Sequence, residues 1–398
     1  MIRIKDIKIR EDLLEEKVLE KALQKNRLQK EDVKKWYIYK KSIDARKKED
    51  IFYNYTIDIE LKDKNKEKRF EKIEEYKMPE IKVKRQSKIQ PVIIGAGPAG
   101  LFSALIFVEN GIKPILIERG KKVEDRVKDI EEFINNRKFN PKSNIQFGEG
   151  GAGTFSDGKL NTGNSSIYSR KVLEEFVKFG APKEIMYVAK PHLGTDNLIK
   201  IVKNIREYIL QQGGEIFFEE EVVDFEIEKN QIKSVITSKR KIETDSVILA
   251  IGHSARDTFK KLNELGVKIA PKNFAVGVRI EHLQKDINMA QYGNKTKLKL
   301  GSADYKLVYH ASNGRTCYTF CMCPGGKVIA SNSEENSIVT NGMSNFARDG
   351  ENANSALLVN VSIEDFYKES PLDGMYFQEE LEKKTFELGG KNYNAPIQ

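Results

Sequence analysis

The residues from Val92 to Glu118 restrict this chain more than any others: Val92-Ile93-Ile94, then Gly95-Ala96-Gly97-Pro98-Ala99-Gly100, then Ile115-Leu116-Ile117-Glu118. An apolar run, a Gly-x-Gly-x-x-Gly turn, apolar residues at helical spacing (Leu101, Ala104, Leu105, Val108) stopped by Gly111, and a second apolar run ending in a carboxylate predict a βαβ unit built for a dinucleotide. Each glycine has a steric task. Gly95 permits the tight turn off the strand, Gly97 lets backbone approach a pyrophosphate, and Gly100 lets the helix pack on the sheet. The phosphates would face the helix N-terminus, where free N–H groups and the macrodipole favour an anion. Glu118, eighteen residues past Gly100, would accept hydrogen bonds from ribose hydroxyls and repel a 2′-phosphate, which argues against free NADP.

The chain has 398 residues, enough for two or three domains. Its 39% hydrophobic content supports real cores, and no run of about 18 apolar residues suggests a membrane span. The start, Met-Ile-Arg-Ile-Lys-Asp, lacks the apolar stretch of a signal peptide, so a cytoplasmic location is expected. Cys317, Cys321 and Cys323 are too few for a disulfide framework or a zinc site and read as free thiols; no metal site is expected.

The net charge of +9 is unevenly placed: residues 1–88 hold 27 Lys and Arg against 19 Asp and Glu, while the remainder holds 41 against 40. The pattern predicts a small N-terminal α+β module: a strand over Ile2–Ile9, a helix over Leu13–Leu23, and strands Lys35–Ile43 and Ile51–Leu61 joined through residues 47–50. Lys62–Lys88, charged and interrupted by Pro79, reads as a helix or linker. With Trp36, Tyr37 and Tyr39 on one strand, the module admits two readings: an RNA platform, or an accessory domain with a solvated charged face. Interspersed carboxylates favour the second.

From residue 89 the pattern is α/β: a domain over 89–272, an inserted α+β substrate domain over 273–365 with short strands and turns, and a segment over 366–398. Helices are expected at Val123–Phe133, Ser169–Phe179 and Thr195–Gln212, with strands at Glu215–Phe218, a β-meander through Val222–Ile227 and Ile232–Thr237, and a strand Ser246–Gly252. Five glycines between Gly148 and Gly158, accompanied by Thr154, Ser156, Asp157 and Lys159, form a second loop whose backbone can approach a ligand closely while hydroxyl, carboxylate and ammonium groups contact it.

This order of elements resembles the FAD-dependent oxidoreductases of the glutathione-reductase-like superfamily. Within it, Gln146–Leu160, residues 42–48, Ile248–Asp257 and residues 319–326 (Thr-Phe-Cys-Met-Cys-Pro-Gly-Gly) resemble a bacterial family of NAD(P)/FAD-dependent dehydrogenases. The resemblance implies a Rossmann-like FAD-binding domain, with a parallel sheet and a β-meander. Gly95, Gly97, Pro98, Ala99 and Gly100 would seat the pyrophosphate, with Glu118 and Arg119 at the ribose. Gly150, Gly151, Gly153, Thr154, Ser156, Asp157, Gly158 and Lys159 would line the pyrophosphate and flavin side. Val222 or Val223, with Val223 preferred, would meet adenine, and Gly252 would mark the strand end.

The family's usual Gly-Asp segment near the C-terminus is missing, since none of the 28 glycines precedes an Asp, and the chain stops in a polar stretch. These observations lead to the expectation of a C-terminally truncated chain with an incomplete flavin site and weakened FAD binding. Hydride chemistry would belong to the flavin, with a small-molecule substrate met by the inserted domain through Cys323, Asn341, Ser344 and Arg348. No second glycine turn announces an NAD(P)H domain, so a nicotinamide would bind only transiently. His253 reads as a turn cap or a proton donor beside the flavin. Two further readings stand beside the FAD-dependent oxidoreductase: an RNA-associated flavoprotein, and a nucleotide-binding chain without turnover.

Overall fold

Val92, Ile93 and Ile94 are all buried, as are Ile115, Leu116 and Ile117, and in this computed structural model the two runs pair in parallel, Val92 opposite Ile115 through Ile94 opposite Ile117. Strands covered on both faces need continuous apolar runs, not alternation, so three-residue stretches of Val, Ile and Leu suffice. Glu215–Phe217 adds outside Ile115–Ile117, and Val247–Leu249 outside Val92–Ile94, giving a four-stranded parallel sheet in the order 247–249, 92–94, 115–117, 215–217. The structure describes residues 1–78, 81, 83, 89–163 and 166–398.

Alternation within the strands feeds two cores. Ile93 and Leu116 point to one face, where the helices Pro98–Glu109 and Gly194–Gln211 bring Leu101, Leu105, Ile201 and Ile205. Val92, Ile94, Ile115 and Ile117 point to the other, covered by Val222, Phe225, Val235 and Ile242 of the antiparallel meander Val222–Glu228, Gln231–Thr237, Lys241–Glu243. This is the Rossmann-like α/β arrangement expected. The helix expected at Ser169–Phe179 runs over Ile167–Lys178, because the Ser166 hydroxyl accepts the Tyr168 N–H and caps it two residues earlier.

In the N-terminal module the strands Ile2–Ile9, Val33–Asp44, Phe52–Leu61 and Glu71–Lys72 form an antiparallel sheet in the order 33–44, 52–61, 2–9, 71–72. The helix Glu15–Lys25 lays Val18, Leu19, Ala22 and Leu23 on it. Of the expected helix or linker over Lys62–Lys88, the described residues contain a short helix, Lys64–Glu67, and the strand Glu71–Lys72; Pro79 and residues 80, 82 and 84–88 lie outside the described residues. Trp36, which an RNA platform would need on an open face, packs against the module's core. Lys34, Lys35 and Lys66 are paired with Glu60, Glu75 and Asp32. The module is tied to the nucleotide fold where Lys41 N–H donates to Tyr187 O at 2.7 Å and Ala189 N–H to Lys41 O at 2.8 Å.

Residues 274–361 build a separate antiparallel sheet in the order 274–283, 352–361, 316–323, 308–310, with Phe274–Leu283 and Asn352–Val361 in unbroken register from Phe274 opposite Val361 to Leu283 opposite Asn352. A ribbon of Lys327–Ala330 and Thr340–Met343 and the helix Gln284–Tyr292 complete it. The segment 366–398 contains the helix Asp373–Leu388. Glu382 on that helix accepts two hydrogen bonds from the buried Arg256 guanidinium, at 2.7 and 2.9 Å, which fastens it to the nucleotide fold.

Candidate functional site

A cleft of about 430 Å³ opens at the C-terminal ends of the parallel strands, where open α/β sheets place their ligands. Its walls come from the glycine turn (Gly95, Gly97, Pro98, Ala99), from Glu118 and Arg119, from Gln146–Gly148 and Gly151–Gly153, and from Leu249–Ala255 with Thr258. Two helices begin at this cleft, Pro98–Glu109 and Arg256–Glu264, and neither start is capped by a side chain. Their free N–H groups and macrodipoles make the cleft suited to an anion such as a pyrophosphate.

The two innermost glycines differ in what they are for. Gly95 holds φ +101°, and a Cβ there would run into the Ala250 carbonyl. Gly97 has φ −70°, and its Cβ would meet nothing nearer than Gly151 Cα at 3.9 Å. Gly95 is therefore required by the fold, whereas the bare backbone at Gly97 matters to whatever enters the cleft.

Glu118 lies on the cleft wall, but its carboxylate is buried and already bonded. It accepts the Ala96 N–H at 2.8 Å on one oxygen, and the Gly120 and Gly148 N–H groups at 2.9 and 3.0 Å on the other. The expected ribose acceptor is thus first a clamp that joins the glycine turn to the second glycine loop. Arg119 reaches the same wall with its guanidinium over the Phe147 ring and its Nη2 donating to Asp257 at 3.0 Å.

The second glycine loop is built around Arg126, whose side chain is fully buried and donates to the carbonyls of Asn144 at 2.7 Å, Ile145 at 2.8 Å and Glu149 at 2.7 Å. Burial lowers its pKa to about 10, still charged at neutral pH. Glu149 accepts the Val123 N–H at 2.8 Å and Arg206 Nη1 at 2.5 Å; burial nevertheless pushes its carboxyl up to about 7. Arg126 was not legible as a scaffold from sequence, since nothing local to a helix Val123–Asn136 marks one arginine as inward-facing except its place in the apolar stripe with Val123, Ile130 and Phe133.

Of the expected cofactor residues, Gly95, Gly97, Pro98, Ala99, Glu118, Arg119, Gly151, Gly153 and Gly252 line the cleft. Gly100 sits behind it, where a Cβ would strike the Gly95 carbonyl, and Gly150 ties the loop to the turn through its N–H to Ala96 O at 2.8 Å. Val222, not Val223, faces the cleft; Val223 is 45% exposed on the outer side of its strand. Thr154, Ser156, Asp157, Gly158 and Lys159 do not reach it. Ser156 instead fastens the loop to itself, donating to Gly153 O at 2.7 Å and accepting the Gly158 N–H at 3.0 Å. Gln146, Phe147, Leu249, His253, Ser254 and Thr258 line the cleft without having been singled out for cofactor binding. Desolvation and the nearby Arg256 lower the His253 pKa, which keeps a neutral imidazole at the cleft mouth.

The expected substrate residues are also committed elsewhere. Arg348 donates to both oxygens of Asp157, at 2.8 and 2.5 Å, and the Ser344 hydroxyl donates to the same carboxylate. Asn341 accepts its neighbour Gly342 N–H at 2.8 Å, and Cys323 is completely buried with its thiol donating to Cys321 O at 3.3 Å. Ser344 and Arg348 join the glycine loop to the antiparallel-sheet region, and none of the four lines the cleft. Among the described residues no helix is long and apolar enough to cross a membrane, and no group of three or more His, Cys, Asp or Glu side chains is gathered for a metal.

Residues 273–398 match a family described as FAD-dependent protein, C-terminal domain-like, and residues 1–60 match a domain of unknown function. An uncharacterized protein of Clostridium beijerinckii is 46% identical over 378 residues, covering 92% of this chain and 70% of that one. D-amino acid dehydrogenase of Helicobacter pylori is 42% identical over 53 residues, 13% of each chain. Among solved structures, CtdE in complex with FAD is similar at 16% identity and a TM-score of 0.33, covering 71% of this chain and 62% of that one. The cleft's uncapped helix starts, bare Gly97 backbone and Gly151–Gly153 wall fit a dinucleotide, and the cofactor is FAD. The chain belongs to the family of the Clostridium beijerinckii protein, and its residues 273–398 match the FAD-dependent C-terminal domain-like family.

Proposed function

We propose that the chain transfers a hydride between a small-molecule substrate and FAD, with NAD(P)H as a transient partner on the other half-reaction. One observation carries this reading: the glycine turn, the Glu118 strand end, the second glycine loop and the start of the helix Arg256–Glu264 all converge on a single cleft. Membership of the glutathione-reductase-like group rests on the order of these same elements. When bound, FAD supplies the two-electron chemistry. The protein's own groups do the rest. The two helix starts balance the pyrophosphate charge, Glu118 fixes both glycine loops in place and disfavours a second phosphate at the ribose, and Arg119 with Phe147 closes one wall. His253, neutral at the mouth, can accept or return a proton there.

The test is spectroscopic. The purified chain should show a flavin absorbance that bleaches anaerobically with one member of a reductant panel of NADH, NADPH, amines, hydroxy acids and D-amino acids, and returns with oxygen. The last class is included because of the similarity to D-amino acid dehydrogenase. Flavin present but refractory to every reductant would leave a binding protein and sink the catalytic reading.

A further inference from the structure

The strand Thr316–Cys323 slips against Asn352–Val361: Phe320 lies opposite Ala356 and Cys323 opposite Asn354, so three residue steps on one strand meet two on the other. The bulge holds Cys321 at φ +45°, a backbone region that non-glycine residues rarely occupy and that recurs at functional sites. Its consequence is local. The Cys323 thiol donates to Cys321 O at 3.3 Å, which draws the two cysteines together across the bulge.

Cations surround this pair. Arg279 Nη1 lies 3.4 Å from Cys321 O, and Lys159 Nζ, itself 2.8 Å from Asp157, donates to Met322 O. A Cβ built on Gly342 would lie 2.6 Å from Arg279 Nη1 and 2.6 Å from Cys323 Sγ, so sulfur and guanidinium are no more than twice that distance apart. Arg279 Nε and the buried Asn354 Nδ2 are hydrogen-bond donors with no partner. Unpaired buried donors are costly, and a thiolate within the cysteine pair would bring negative charge to their neighbourhood. The hydrogen bond from Cys323, with Lys159 and Arg279, lowers the Cys321 pKa to about 6, while the same bond and burial push Cys323 up.

We propose that Cys321 and Cys323 form a redox-active dithiol that reduces hydroperoxides, separate from the FAD cleft. The Cys321 thiolate attacks the terminal peroxide oxygen; the O–O bond breaks, the leaving alkoxide takes a proton from solvent, and Cys321 becomes a sulfenic acid. The Cys323 thiol then gives up its proton and displaces hydroxide, which leaves as water, to form the Cys321–Cys323 disulfide. Two thiols are oxidised for each hydroperoxide reduced to alcohol and water. Arg279 and Lys159, bonded to the Cys321 and Met322 carbonyls, set positive charge around the attacking thiolate, and the bulge places the resolving sulfur two residues away.

The reduced full-length chain is treated with one equivalent of hydrogen peroxide and mapped by peptide mass spectrometry. The expected product is a single peptide that has lost two hydrogens between Cys321 and Cys323, unchanged in Cys317→Ser. Cys321→Ser should consume no peroxide, and Cys323→Ser should stop at a sulfenic acid trapped by dimedone. The wild-type chain supplies an independent reading should either variant fail to fold. At pH 6 iodoacetamide should label Cys321 about tenfold ahead of Cys317, since a larger thiolate fraction outweighs its lower intrinsic nucleophilicity. A disulfide that includes Cys317, peroxide consumption by Cys321→Ser at the wild-type rate, or equal labelling of Cys317 and Cys321 at pH 6 would overturn the proposal.

Discussion

Arg348 holds both carboxylate oxygens of Asp157, 191 residues earlier in the chain, in a two-pronged hydrogen-bonded ion pair with Asp157 1% exposed. One end of the pair belongs to the second glycine loop and the other to the connection between the strands Thr340–Met343 and Asn352–Val361, so the loop that borders the FAD cleft is anchored by a residue distant in sequence. Burial raises the cost of the Asp157 charge, but Arg348 and Lys159 overcome it and hold the carboxyl down to about 2.

This contact should give way in acid. A carboxyl whose pKa falls on folding stabilises the folded state above its unfolded value and loses that contribution as pH drops, here between about 4 and 2, for about 2 kcal/mol. Arg348→Met should remove much of the stabilisation at neutral pH as well, leaving the buried carboxylate with Lys159 as its remaining cation, and lower the urea midpoint at pH 7 while flattening the acid limb of the unfolding curve.

Glu149 should act in the opposite direction. Its carboxyl is pushed up to about 7 by burial, so between about pH 4.5 and 7 the folded chain keeps a proton that the unfolded chain releases. Stability therefore falls as pH rises through that window, by about 3 kcal/mol from this group alone. Glu149→Gln should abolish that slope, measured by thermal unfolding at half-unit pH intervals.

The two inner glycines should separate folding from binding. Gly95→Ala forces a Cβ onto the Ala250 carbonyl at a positive φ and should destabilise the protein. Gly97→Ala has room within the protein and should leave the melting temperature within a degree or two while weakening FAD binding by about tenfold, a loss of roughly 1.4 kcal/mol. Flavin titration followed by fluorescence quenching, read beside calorimetry, distinguishes them.

Glu118→Gln should loosen both loops at once. The carboxylate accepts three backbone N–H groups; an amide replaces one accepting oxygen with a donor that faces N–H groups it cannot bond. Each unsatisfied buried donor costs about 1–3 kcal/mol, so both stability and FAD retention should drop together. Loss of flavin with an unchanged melting temperature would show that Glu118 serves the ribose and not the loops.

The parts of the site that could be read from sequence were those with local signatures. Val92–Ile94, Ile115–Ile117 and the turn between them follow from short apolar runs and glycine spacing, and the strand pair Val33–Asp44 and Phe52–Leu61 from alternation around residues 47–50. What stayed hidden depends on pairing across long separations. Ser344 and Arg348 look like free donors in a polar loop until Asp157 is placed against them, and Glu118 looks like a ribose acceptor until three N–H groups close on it. The bulge at Cys321 has no sequence mark at all, because one slipped residue between two strands leaves no periodicity to read.

Arg126 bears on the kinetics of the cleft. A guanidinium sealed from water and gripped by the carbonyls of Asn144, Ile145 and Glu149 leaves the loop no second low-energy shape. The conformational entropy of that loop is surrendered during folding, before any cofactor arrives. An incoming FAD would meet a wall already set in its final form, so association should be a single docking event limited by diffusion and orientation, without a slow phase for loop ordering.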